Sequence, residues 1–259
     1  VLDRSNISLI FVNKQKTETS EIDNSNNLFN RNLGLEYNYF SKDNLWNGKV
    51  LFLKSLSPTK EKQGNVYASH IGYQSTRWNW RIQQEYISDN YTAEVGYIPR
   101  KNYLKLQAKG GYLNYTKKET ILLSHGPSVS QTYFFDSKLD NKDQLTSLKY
   151  LFNFKNRSQL SIGFQNQFIQ LLSNFDPIRT GIAFLDEGTN HKWNNFTISY
   201  NSKPQNRFTY SLETITGGYY SEGKRSAFLG EFGFRFQPFL ELSSVVNFNQ
   251  INLPTPWLS

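Results

Sequence analysis

Apolar and polar residues alternate one by one along most of the chain, and this period of two restricts it to strands with one greasy and one wet face. Phe196, Ile198 and Tyr200 share one parity, and Asn195, Thr197, Ser199 and Asn201 take the other. Phe208, Tyr210 and Leu212 stand against Arg207, Thr209, Ser211 and Glu213. Phe228, Gly230, Phe232, Phe234 and Phe236 stand against Leu229, Glu231, Gly233 and Arg235. Leu240, Leu242, Val246 and Phe248 oppose Glu241, Ser243, Asn247 and Asn249, and Leu104, Leu106 and Ala108 oppose Lys105, Gln107 and Lys109.

The pattern predicts about thirteen strands, over residues 6–13, 29–40, 46–57, 64–74, 77–88, 102–116, 120–137, 143–155, 157–170, 193–202, 205–216, 225–237 and 239–250. Most reach ten residues or more, longer than the five or six usual in soluble sheets. A strand crossing a bilayer at a tilt needs about 9–11.

The connections alternate as well. Short ones are expected near Ser41–Asn44, Gln74–Thr76, Lys117–Glu119, Asn156, Lys203–Pro204 and Pro238. Longer ones lie at Lys14–Leu28, Pro58–Gln63, Asp89–Lys101, Lys138–Lys142, Leu171–Lys192 and Ile215–Lys224. Long loops on one side and tight turns on the other are the arrangement of outer-membrane barrels, whose long loops are extracellular.

Composition agrees. The chain has 20 Phe, 16 Tyr and 5 Trp, yet only 37% of its residues are hydrophobic, and no run nears the roughly 18–20 apolar residues of a helical span. Aromatic wealth on a hydrophilic average suits a barrel, because only alternate residues face lipid. With no Cys, a disulfide framework, a zinc–thiolate site and a cysteine nucleophile are all excluded. The formal charge of +8 is scattered through strands and turns rather than gathered on one face. It fits a solvated lumen and rims, or attraction to outer-leaflet phosphates, and gives no footprint for nucleic acid.

The expected architecture is therefore all-β: an antiparallel transmembrane β-barrel of the outer membrane, one segment spanning residues 1–259. Strand parity sharpens this. The first strand precedes a long loop and the thirteenth follows a tight turn, so both run outward and the chain would end outside the cell. Bacterial barrels close with an even strand number. Thirteen strands are thus expected to be an incomplete barrel, with further strands before and after and open or partner-covered edges. Pro254-Thr255-Pro256-Trp257 reads as a rim segment.

Several phrases carry a family resemblance. They are Leu2-Asp3-Arg4-Ser5-Asn6-Ile7 leading into Ile10-Phe11-Val12-Asn13-Lys14, Gly48-Lys49 followed by Ser55-Leu56-Ser57-Pro58, and Ala93-Glu94-Val95-Gly96-Tyr97-Ile98-Pro99-Arg100. Ser124-His125-Gly126-Pro127, Thr216-Gly217-Gly218-Tyr219-Tyr220 and Ile251-Asn252-Leu253-Pro254 fit as well. In order and spacing they resemble the C-terminal barrel of the DUF5916 family of outer-membrane proteins of Bacteroidetes. The resemblance implies an N-terminal domain similar to family 9 carbohydrate-binding modules. It brings no catalytic, cofactor or metal residues with it.

Individual residues give two readings each. Glu94 and Arg100 can form a rim pair that touches solute, or a charge pair that holds a loop. His125-Gly126-Pro127 marks a bulge or bend inside a strand, and His70, His125 and His191 are too scattered for a metal cluster. Trp78 and Trp80 can stack on sugars or belong to an aromatic girdle. Asp176-Pro177 and Asp186-Glu187-Gly188 can hold calcium or form an acidic surface loop. Ser124 beside His125 is not a catalytic pair, because neighbouring strand residues face opposite sides. No nucleophile elbow, phosphate loop or zinc helix occurs.

The function these features suggest is an outer-membrane channel or transport-associated barrel linked to glycan binding or uptake, with no enzymatic activity, cofactor or metal. The alternative is a non-transport barrel that anchors a carbohydrate-binding domain, or that serves as subunit or client of an outer-membrane complex. Expected partners are outer-membrane lipid and lipopolysaccharide, such complex subunits, and a glycan bound through a domain outside this chain.

Overall fold

The computed structural model describes residues 4–17, 28–117, 120–179, 181, 183–220 and 222–254. Fourteen strands form one antiparallel sheet. They are β1 (Ser5–Gln15), β2 (Phe29–Phe40), β3 (Trp46–Leu56), β4 (Asn65–Gln74), β5 (Trp78–Ile87), β6 (Tyr103–Tyr112), β7 (Asn114–Tyr115), β8 (Leu122–Phe135), β9 (Asn141–Phe154), β10 (Gln159–Gln170), β11 (Asn190–Asn201), β12 (Phe208–Tyr219), β13 (Gly223–Phe236) and β14 (Leu240–Asn252). Pairing follows chain order from β1 to β14, with the short β7 set off the path against β8. β1 and β14 are the edges, so the sheet is open. A single 3-10 turn, Lys60–Lys62, is the only helical element among the described residues.

Each of the thirteen expected strands is present. Two differ in a way that has a physical cause. The expected 102–116 strand is broken at Leu113, which separates β6 from β7. Gly126 lies opposite the break, and a Cβ on it would run into the Tyr112 carbonyl. The disturbance expected at His125-Gly126-Pro127 thus falls on the neighbouring strand, while β8 runs through it unbroken. The Leu113 N–H turns away to the Arg77 carbonyl at 2.8 Å. The second difference is in β12, which continues to Tyr219 and pairs there with Gly223, so the connection expected over 215–224 is short. Gly217 makes this extension possible: its φ of 153° and its approach to the Asn194 carbonyl both forbid a side chain.

The chain falls into two compact units, residues 1–75, 79–108 and 132–141, and residues 76–78, 109–131 and 142–259. In the first, the β1–β5 register puts Ile7, Leu9 and Phe11 on one face with Leu33, Leu35, Tyr37, Val50, Phe52, Tyr67, Ile71 and Ile82. The other face carries Asn6, Ser8, Asn32, Glu36, Asn38, Lys49, Ser55, His70, Arg81 and Glu85. Ser69 and Gln84, paired with each other, interrupt the apolar face.

In the second unit, Phe196, Ile198, Tyr200, Phe208, Tyr210, Leu212, Phe228, Phe232 and Phe234 share one face, as the alternation predicts. Leu148, Ile162, Phe164, Leu242 and Phe248 join them. Glu213, Glu231, Arg235 and Glu241 take the opposite face, and the Arg207 carbonyl accepts from the Arg235 N–H beside them.

Exposure reverses the usual order. On interior strands the apolar side chains are open: Phe196 is 58% exposed, Ile198 54% and Val50 57%. Their polar neighbours are buried: Asn195 and Thr197 are 6% exposed, Asn32 9% and Ser55 0%. In each unit the closely packed side is the polar one.

Candidate functional site

The polar face of the first unit carries a loop folded down on it. Residues 88–101 leave β5 and are fixed at two buried points. Asn30, on β2, donates from Nδ2 to the Thr92 carbonyl at 3.1 Å. Its Oδ1 accepts from the Glu94 N–H at 3.1 Å and from Asn32 Nδ2 at 2.8 Å. Ser55, on β3, accepts the N–H of Gly64 at 2.9 Å and of Thr92 at 3.3 Å on Oγ, and donates to the Lys62 carbonyl at 3.2 Å. The Ser88 hydroxyl accepts the Asn65 N–H at 2.8 Å. Gly64 must lack a side chain, because a Cβ there would strike the Tyr91 backbone. Tyr91 is buried in this packing, which pushes its phenol pKa up.

The same loop places Glu94 and Arg100. Glu94 meets Lys14 of β1 at 2.9 Å, tying the loop to a strand far away in sequence. The Arg100 guanidinium lies over the rings of Tyr103 and Phe134, 5.7 and 5.0 Å from their centroids. Along the strands beneath, Lys49 pairs with Glu36, and Tyr103 donates to Glu85.

In the second unit, residues 171–189 leave β10 and are closed by a bridge between Phe175 and Leu185, with backbone bonds of 3.0 and 2.8 Å. Asp176 does not face outward as a free acid. Its carboxylate accepts the N–H groups of Ile178, Arg179 and Gly181 at 3.0, 2.8 and 2.6 Å. Asp186 caps the turn before β11 by taking the Thr189 hydroxyl on its carbonyl at 2.6 Å. At the first acidic motif the carboxylate itself builds the turn, and at the second the main chain does. Among the described residues no three His, Asp or Glu side chains come together in a way that could hold a metal ion.

Aromatic rings fasten this loop. Phe175 packs on Tyr220 at 5.0 Å, and Tyr220 also meets His191 at 5.5 Å and Trp193 at 4.7 Å. Burial raises the Tyr220 phenol pKa, with Tyr219 and Asp143 adding to it. Sequence reasoning missed this cluster, because Phe175 and Tyr220 lie on separate connections.

His125 meets the Tyr150 hydroxyl at 2.6 Å and stacks on Tyr150 and Phe152. Ser124 is buried and receives Asn153 Nδ2 at 3.0 Å. Tyr150 and Asn153 lie on opposite faces of β9, so the two neighbours do face opposite ways. Trp80 joins Trp46 and Tyr73 on the apolar face at the tight-turn end of β3–β5, at 5.2 and 6.2 Å. Trp78 packs on Tyr112 at 4.7 Å. His70 stands on β4 opposite Lys49 and Gln83.

Two of the phrases noted in the sequence meet here. Ser55 belongs to one and Glu94 to another, and both hold the loop at 88–101 in place. Fold and surface together define an all-β protein built as an open antiparallel sheet, and each of its two units is apolar and exposed on one face and polar and packed on the other. The chain belongs to the family described as Domain of unknown function (DUF5916), whose profile matches residues 2–257. Comparison with curated proteins and with solved structures finds no match.

Proposed function

We infer that these strands form part of the wall of a transmembrane β-barrel in the outer membrane of a Gram-negative bacterium, and that the barrel serves transport. The observation that carries this is the reversed exposure. Each half-exposed Phe, Leu or Ile forgoes roughly half of the ~1.5–3 kcal/mol that full burial would give in water. The bare apolar face runs across many strands, well beyond the few hundred Å² that soluble monomers leave open. Against lipid and the acyl chains of lipopolysaccharide the same face is stabilised, and the polar face lines an aqueous interior. The rings at the tight-turn end of β3–β5, Trp46, Tyr73 and Trp80, sit where an interfacial girdle belongs. The edges at β1 and β14 are completed by further strands or by a partner, because unpaired backbone groups cost several kcal/mol each in hydrocarbon.

The Bacteroidetes origin and the link to glycans rest on the family resemblance, with the sugar held by a carbohydrate-binding domain outside this chain. The loop at 88–101 favours a second reading. A segment fixed on the polar face narrows any path along it, which suits a barrel that anchors such a domain or joins an outer-membrane complex. Neither reading assigns the chain an enzymatic step.

Planar-bilayer recording on the protein, with outer-membrane fractionation beside it, tests this. Conductance steps support transport, and insertion without conductance supports the anchor. Recovery in the soluble fraction overturns both.

A further inference from the structure

The second unit holds an open cleft of about 750 Å³ between the Pro177-Ile178-Arg179 turn and the polar face of β12–β14. Arg179, Tyr219, Arg225, Asn247 and Asn249 bring polar side chains to it, and none of its described lining residues is acidic. We propose that this cleft binds a water-borne solute carrying an oxyanion, a carboxylate or a phosphate.

Arg225 is the fixed point of the cleft. Its Nε and Nη2 donate to Asn249 Oδ1 at 3.2 and 2.8 Å, and its guanidinium lies 5.7 Å from the Tyr219 ring centroid. Asn249 is held in turn, donating to Asn247 Oδ1 at 2.7 Å. A guanidinium has five donors in a rigid plane. Two are used on Asn249, which fixes the plane and leaves the others for a ligand, the arrangement that suits bidentate recognition of an oxyanion.

Arg179 brings a second positive charge from the loop. It sits at a φ of 57°, in a turn whose N–H groups are gathered by Asp176. That acid is the one nearest in sequence, and it is turned into its own loop by three backbone donors. Two arginines line one cleft whose described lining holds no carboxylate, and that charge favours an anion over a neutral solute. The amides of Asn247 and Asn249, which share the polar face of β14, add donors and acceptors for a polyhydroxylated body. Residues 217–220 and 251–252 come from two of the phrases noted in the sequence, and Tyr219, Ile251 and Asn252 line the cleft.

The inference rests on the barrel reading only in that the cleft opens on the aqueous side, and its test is independent of conductance. Titration calorimetry on the detergent-solubilised protein would use glucuronate and inorganic phosphate as probes, with glucose as the neutral control. The expected result is saturable binding of at least one anion, at least tenfold tighter than glucose and weakened by salt. Arg225→Gln and Arg179→Gln are each expected to weaken it at least tenfold. Arg179 is on a loop, so that variant reports on the cleft even where Arg225→Gln fails to fold, which a heat-modifiability gel detects. Binding of neither anion overturns the proposal, as does equal binding of glucuronate and glucose or unchanged affinity in the folded variants. None of these results alters the bilayer recording.

Discussion

Asn30 of β2 and Thr92 of the loop after β5 are joined by a 3.1 Å amide-to-carbonyl bond, and Asn30 is 1% exposed. The same amide accepts from Glu94, so one side chain satisfies two loop residues at once. A loop held this way is a fixed part of the polar face.

Removing that side chain should release the loop. Asn30→Ala leaves the Thr92 carbonyl and the Glu94 N–H without their partner, at about 1–3 kcal/mol for the groups that stay buried. Limited proteolysis should then cut at Arg100 or Lys101 well before it does in the unaltered protein. Conductance, where present, should rise. An unchanged cleavage rate would show that Ser55 and the Lys14–Glu94 pair fix the loop without Asn30.

Side-chain facing predicts unequal energetic effects at adjacent positions. Phe232 shares the apolar face with Tyr210, and Glu231 lies on the other face opposite Ser211. Phe232→Arg should cost roughly 2–4 kcal/mol if the site is at the bilayer midplane. Glu231→Gln should cost much less. Unfolding from lipid vesicles measures both, and equal losses would contradict the assignment of faces.

These faces were legible in the sequence because a period of two leaves little freedom: once Phe196, Ile198 and Tyr200 share a parity, register carries it across the sheet. The strand break at Leu113 was only half legible, since Gly126 signalled a disturbance but not which strand would yield. The connection after β12 was misjudged because Gly217-Gly218 reads as loop, although here it lets β12 pass close to Asn194. The loop anchors were not legible at all. Asn30 and Thr92 are 62 residues apart and Lys14 and Glu94 are 80 apart, and no local pattern links them. The segments at 18–27, 118–119 and 255–259, which include most of the first long loop, part of the Lys117–Glu119 turn and most of the expected rim segment, lie outside the described residues.

The β2–β3 turn should respond to acid. The Ser41 hydroxyl donates to Asp43 at 2.5 Å and the Leu45 N–H at 3.0 Å, which holds the Asp43 pKa below its ordinary value. A folded pKa below the unfolded one means that the contribution is present above the ordinary carboxylate value of about 3.9 and is lost as pH falls through the lowered one. The difference in melting temperature between the protein and Asp43→Ala should therefore be present at pH 7 and shrink below about pH 4. Asp43 is fully solvated, so the effect should be small. A difference that grows toward acid would reverse the sign of the argument.

The most direct measurement uses the absence of cysteine. Ile198→Cys and Ser199→Cys are neighbours on β11, on the exposed apolar face and on the polar face. In outer-membrane vesicles, a membrane-impermeant charged thiol reagent should label Cys at 199 through water, and Cys at 198 should react with a maleimide only after unfolding in denaturant, because a thiol in hydrocarbon stays protonated. The charged reagent should leave 198 unmodified. Rapid labelling of 198 by the charged reagent, with 199 protected, would mean that the apolar face is not in lipid and would contradict the membrane assignment.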